Sequence, residues 1–295
     1  MHTKLVFWLI LAGICANLSC NVLKNPLSGH SGAHTPVEAA HPPNTVTVEI
    51  YIVRLSPYQN ELVQQLWRET NEQSLPVQLR RELYAQGFRV GTLSHLMSPV
   101  LEQFINVSSE GVSDIFSGEL QEFSAADVTR ETGATRHTRQ LLPGMRAVLK
   151  PFNDHNALPE LFLFRQENGK MHGETYMGAL GVLLVGAEAN PDGSAQIQIL
   201  PVIDHGTPVL RLQSVAGMVI QDASRPRHIF ETLAVSQRLL PGHWIIMGTT
   251  TLDSAGAGKA FFARTDSVLE QRIVAIRLVR STPAAGNGNT SVTLP

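Results

Sequence analysis

From Ala134 onward the chain consists of short apolar segments cut at intervals by turn residues, a pattern that commits it to a sheet of short strands. Met145 to Leu149, Glu160 to Gln166 and Met171 to Met177 read as strands, the last two joined by a turn at Glu167-Asn168-Gly169. Gly178 to Glu188 is an apolar strand centred on Val182-Leu-Leu-Val185. Asn190-Pro191-Asp192-Gly193 is a turn, after which Gln196 to Ile203 alternates. Further strands are expected at Leu210 to Ile220, His228 to Ala234, Trp244 to Thr250 and Gln271 to Arg280. The last is apolar on both faces, which places it in the middle of a sheet. Pro-Gly pairs at Pro143-Gly144 and Pro241-Gly242 follow a shared Leu-Leu and each precede a strand, as two independent turns.

The preceding part has a different grammar. Val46, Val48, Ile50 and Ile52 alternate with Thr47, Glu49 and Tyr51, as a half-buried strand does. Ser56-Pro57 followed by Gln59 is a helix start, and Tyr58, Leu62, Val63, Leu66 and Trp67 form one apolar stripe. A second helix is expected from Pro76, burying Leu79 and Leu83 and stopping at Gly87. Phe88 to Leu93 reads as a strand and Pro99 to Asn106 as a helix. The fold class is α+β: a small α/β region over 45–133, then a mostly antiparallel β-rich region over 134–281.

Ahead of this body, Met1 to Lys4 is weakly positive and Leu5 to Ile14 is an apolar run of ten residues, too short to span a bilayer, which needs about twenty. Residues 1–20 therefore read as a secretory signal. The two cysteines, Cys15 and Cys20, both lie there, so the body holds no internal disulfide and no cysteine-based metal site or nucleophile. Residues 21–44 are rich in Pro, Gly, Ser, Ala and His and read as a flexible linker, and residues 282–295 as a disordered tail. A net charge of −2 without a basic run excludes phosphate-driven nucleic-acid binding.

Ser19-Cys20 resembles the lipidation site of bacterial lipoproteins, which implies a lipid on Cys20 and a membrane anchor; cleavage after Ala16 is the competing expectation. The body resembles the homology domain of bacterial secretins, the outer-membrane gates of secretion and pilus systems. Val46 to Val53 is similar to that domain's opening strand. Gly178 to Val185 with Asn190 to Pro201 is similar to its paired strands around a turn. Leu239 to Gly248 is similar to its glycine-ended strand, and Gly258 to Phe262 with Arg272 to Val279 to its closing elements. The family's proline-rich segment is here a Gly/Ala loop, Ser254 to Gly258, and its ring-building domains have no counterpart in this sequence. No pair of strands shows a lipid-facing apolar band about ten residues long. The resemblance thus implies a peripheral envelope protein with a secretin-like module, with other envelope proteins or copies of itself as partners.

Catalytic motifs such as Gly-x-Ser-x-Gly and His-Glu-x-x-His do not occur. Gly256-Ala-Gly258-Lys259 lacks both the leading glycine and the trailing hydroxyl of a phosphate loop, having Asp253 and Ala260 there. The one polar set that could do chemistry is Asp154, His155, His172 with Glu174, and Asp204 with His205. Imidazole and carboxylate from separate loops could bind zinc in a secreted hydrolase if they converge within roughly 4 Å of one point. The expectation is a non-enzymatic, exported and membrane-tethered protein of the cell envelope or periplasm, with no catalytic, cofactor or metal residues. The hydrolase is the alternative.

Overall fold

The computed structural model describes residues 44–55, 59–94, 98–105, 122–124, 133–167, 170–215, 218–250, 256–264 and 270–283. In chain order these are β1 (Thr45–Leu55), α1 (Asn60–Glu69), α2 (Val77–Ala85), β2 (Phe88–Leu93), α3 (Pro99–Ile105), β3 (Glu122–Ser124), β4 (Gly133–Leu141) and β5 (Arg146–Lys150). Then come β6 (Leu158–Glu167), β7 (Lys170–Ala189), β8 (Ala195–Asp204), β9 (Val209–Val215), β10 (Met218–Ser224), β11 (Arg227–Ile229) and β12 (Val235–Leu239). The series closes with β13 (Trp244–Thr249), α4 (Gly258–Phe262), β14 (Ala263–Arg264) and β15 (Glu270–Thr282). The architecture is mostly antiparallel β with a few short helices, within the α+β class; among the described strands only β3 and β5 pair in parallel. The signal, Cys20 and the linker to residue 43 lie outside the described residues, as does Tyr58.

Two sheets face each other. The first runs β2-β13-β15-β1-β4, with β14 on β15. The second runs β11-β8-β7-β5-β3, with β12 also on β8 and β6 on β7. The alternation of β1 explains the layering. Val46, Val48, Ile50 and Ile52 pack in the core between the sheets with Ile197, Ile199 and Val185. Tyr51, Val53 and Leu55 pack on the opposite face under α1 and α3, against Leu66, Trp67, Leu101 and Phe104. β1 is thus buried on both faces, where the sequence reads as half-buried, because helices cover the side that its polar residues imply is open. β15 lies between β13 and β1 with Ile273 to Ile276 fully buried, as its apolar run predicts.

The helices begin and end where local chemistry sets them. Ser98 Oγ accepts from the amides of Val100 and Leu101, each at 3.2 Å, and Pro99 fills the first turn. Gly87 ends α2 with φ of 78°. The two Pro-Gly turns are alike. Met145 N donates to Leu142 O and His243 N to Leu240 O, both at 3.0 Å, and Gly144 and Gly242 have φ of 76° and 86°. Pro at the second position and a positive-φ Gly at the third define a type II turn. The first carries the chain from β4 in one sheet to β5 in the other; the second returns it from β12 to β13.

Four expected strands differ in the structure. Met171 to Met177 and Gly178 to Glu188 are one strand, β7, bent at Gly178. Leu210 to Ile220 is a hairpin, β9 with β10, since polar Gln213 and Ser214 precede the reversal. His228 to Ala234 is a short strand followed by a single 3-10 turn, Glu231–Leu233.

Two polar knots lock the sheets. Phe152, fully buried in the link between β5 and β6, lies beneath the guanidinium groups of Arg264 at 3.9 Å and Arg272 at 4.3 Å. Arg264 donates to the carbonyls of Asn156 and Ala260, and Arg272 to the carbonyl of Pro151 and the carboxylate of Glu270. Both guanidinium groups are therefore buried but bonded, which is what makes their burial tolerable. On the other face of the first sheet, Glu49 accepts from Tyr51 at 3.0 Å and pairs with Arg136 and, at 3.5 Å, with Arg277.

Phe152→Ala removes a buried ring and the surface on which both arginines rest. We expect a loss of about 3–5 kcal/mol in urea unfolding. The Tyr51 phenol is pushed up to about 12, by burial first and by Glu49 second. Its contribution to stability is complete below the ordinary value of 10.0 and is lost as pH rises from there through the folded value. Absorbance titration is expected to show a tyrosine ionising near pH 12 in the folded protein, and Tyr51→Phe to remove that phase.

Candidate interaction site on the β6–β7 hairpin

β7 changes partners along its length. Its second half, Leu180 to Ala189, pairs with β8, and Leu183 to Gly186 pair also with β5. Its first half pairs with β6 in a hairpin, from Leu158 opposite Ala179 to Glu167 opposite Lys170. At the switch, Gly206 N donates to Met177 O at 2.6 Å and Arg225 to Gly178 O at 3.0 Å. Beyond it, β9 and β10 form a separate two-stranded sheet.

Register decides what each hairpin face carries. Residues directly opposite in an antiparallel pair share a face. Leu161, Leu163 and Tyr176 are buried on one face, which exposed Glu174 shares. Phe162, Phe164, Met171 and Met177 occupy the opposite face and are exposed by 49%, 55%, 64% and 57%. The two phenyl rings meet edge to face at 4.7 Å. The tip of the Phe162 ring also stands over Gly173, where a Cβ would come within 2.7 Å of it. Exposed Val209 and Leu210 open the neighbouring hairpin.

The core-facing side of the hairpin borders a cleft of about 270 Å³, closed by the end of α2 and the 3-10 turn after β11. Leu163, Tyr176, Phe230 and Leu233 contribute its apolar surface, and Glu174, Glu231 and Gln86 its polar surface. The Tyr176 hydroxyl donates to Glu174. Its ring meets His205 at 5.0 Å and His228 at 5.2 Å, and His228 meets Phe230 at 4.6 Å.

The structure does not bring the sequence-derived polar set together. Asp154 and His155 sit exposed on a 3-10 turn, where Asp154 meets Lys150 at 3.4 Å. His172 is exposed on the hairpin, opposite Arg165. Asp204 is buried and paired with Arg227 at 2.8 Å, and His205 packs on Tyr176. Among the described residues no group of three or more His, Cys, Asp or Glu is placed to hold a metal ion. The zinc hydrolase required convergence, which these dispersed positions do not provide. Turn geometry and ion pairing explain these residues instead.

Sequence reasoning missed the exposed stripe. The alternation Leu161-Phe162-Leu163-Phe164 carried the signal, since apolar residues on both faces of a two-stranded hairpin leave one set uncovered.

No family profile matches this sequence, and no curated protein matches it. Among solved structures, the InvG secretin domain β-barrel from the Salmonella SPI-1 injectisome is 12% identical, with a TM-score of 0.22 over 85% of this chain and 67% of that one. The cryo-EM structure of the injectisome secretin InvG from Salmonella SPI-1 is 12% identical, with a TM-score of 0.21 over 85% and 68%. The basal body proteins InvG, PrgH and PrgK give the same identity and TM-score, and this chain spans 48% of that one. Superposition at this level does not establish a shared fold.

In each pair one partner is buried: Asp204 in the first, beside a half-exposed Arg227, and Lys150 in the second, beside an exposed Asp154. Asp204→Ala removes a buried carboxylate together with its bond from Arg227 and is expected to cost roughly 1–3 kcal/mol, whereas Asp154→Ala removes the exposed end of its pair and is expected to cost less than about 1 kcal/mol, both read from urea unfolding.

Proposed function

We propose that this chain is an exported envelope protein that works by docking onto other envelope proteins or onto copies of itself through the β6–β7 hairpin. The observation that carries the reading is the hairpin's uncovered face, on which Phe162, Phe164, Met171 and Met177 stand side by side. Contiguous exposed apolar residues of this kind mark interaction surfaces. A two-stranded hairpin is marginal in water by itself and gains stability when a further strand or face covers it.

Export rests on the charged start, the short apolar run and the small residues before Cys20. A lipid on Cys20, followed by the linker of residues 21–44, would hold the body at a root-mean-square distance of about 25–30 Å from a membrane surface. The secretin-like order of strands in the sequence gives the same setting, with an antiparallel β module as the working part. No catalytic group is assigned.

The full-length chain is expressed in a bacterium and crosslinked in isolated envelopes. Wild type is expected in the membrane fraction and in crosslinked species. Cys20→Ala is expected to lose the diacylglyceryl mass and the membrane association. Phe162→Ser/Phe164→Ser is expected to stay folded and membrane-bound but lose most of the crosslinked species. Unchanged crosslinking in that folded double variant would overturn the hairpin as the contact surface.

A further inference from the structure

We propose that the cleft behind the hairpin takes a guanidinium group, the arginine side chain of a partner polypeptide. The proposal deepens the interaction reading and rests on it for the identity of the carrier. Volume sets the size class. About 270 Å³ falls just under the usual range for drug-sized ligands, about 300–1,000 Å³, and holds one long side chain.

The lining sets the chemistry. Tyr176 and Phe230 present aromatic surface to the cleft. Because the Tyr176 hydroxyl donates to the Glu174 carboxylate, the phenol oxygen gains electron density and the ring becomes a better partner for a cation. Leu163 and Leu233 suit the aliphatic stem that an arginine buries behind its charged head. Glu231, exposed on the 3-10 turn, supplies a carboxylate at the rim. A planar guanidinium stacks on a ring and forks onto a carboxylate at once, which an ammonium does not do. The described residues that line the cleft include His228 and no lysine or arginine. Phe164 belongs to the exposed stripe and also lines the cleft, so one partner could cover the stripe while placing a side chain in the cleft.

The test uses the full chain labelled at leucine and isoleucine methyl groups. N-acetyl-arginine-N-methylamide is titrated by NMR, with N-acetyl-citrulline-N-methylamide as the neutral isostere. The methyls of Leu163, Ile229 and Leu233 report on the cleft. The expected result is saturable shifts at these methyls with the arginine probe. Binding should be at least about tenfold weaker for citrulline, and for the arginine probe in Glu231→Gln, whose spectrum otherwise overlays the wild type. Absence of saturable shifts, or equal binding of the two probes, would overturn the guanidinium site. That failure would leave the envelope crosslinking result untouched, and loss of the hairpin contact would equally leave this titration unchanged.

Discussion

The pairing of β1 with β15 holds the described body together. Eleven residues of one strand lie against a twelve-residue stretch of the other, from Thr45 opposite Thr282 to Leu55 opposite Gln271, with one register shift after Thr47. The strands come from opposite ends of the body, so the ladder closes the longest loop in the fold. Its two faces then organise everything else. One takes the helices α1 and α3; the other takes the second sheet. A closure of this length is entropically costly early in folding, and the near-continuous burial along both strands supplies the compensation.

Around that ladder, the rigid and the uncovered parts of the molecule separate cleanly. Type II turns carry the chain out of the first sheet after β4 and back into it before β13. The Phe152 ring under Arg264 and Arg272 ties the β5–β6 link to the β14–β15 end of the first sheet. α4 presses so closely on β7 that a Cβ at Gly181 would stand 2.5 Å from the Phe261 ring. These restraints end near Gly178. Past it, β7 has only β6 beside it as a paired strand, and the apolar residues on the far face of that pair meet solvent. The site is therefore a consequence of where the packing stops.

Much of this was readable from residue order. The alternation in β1, the double-faced apolar run of β15, the Pro-Gly turns and the stop at Gly87 all act through neighbours in sequence, and the structure follows them. What escaped reading depends on neighbours far along the chain. Whether Tyr51 faces solvent depends on helices that follow it. Whether Gly178 ends a strand or bends one depends on β6 and β8 pairing with successive halves of the same segment. Asp204 resembles a turn residue in sequence, yet Arg227, brought alongside by β11, makes it a buried partner. The exposed stripe was obscured for the same reason, because Leu161 and Phe162 look equally core-like until the register assigns them to opposite faces.

Hydrogen exchange on the full-length protein gives the sharpest test. Exchange would be compared between native envelopes and the purified, diluted chain, with the amides of Glu160 to Met177 as the reporter and those of β1 and β15 as the internal reference. If the hairpin is a docking surface, its amides exchange at least about tenfold more slowly in the envelope while the reference amides are unchanged. Equal exchange of the hairpin in both settings would contradict the account.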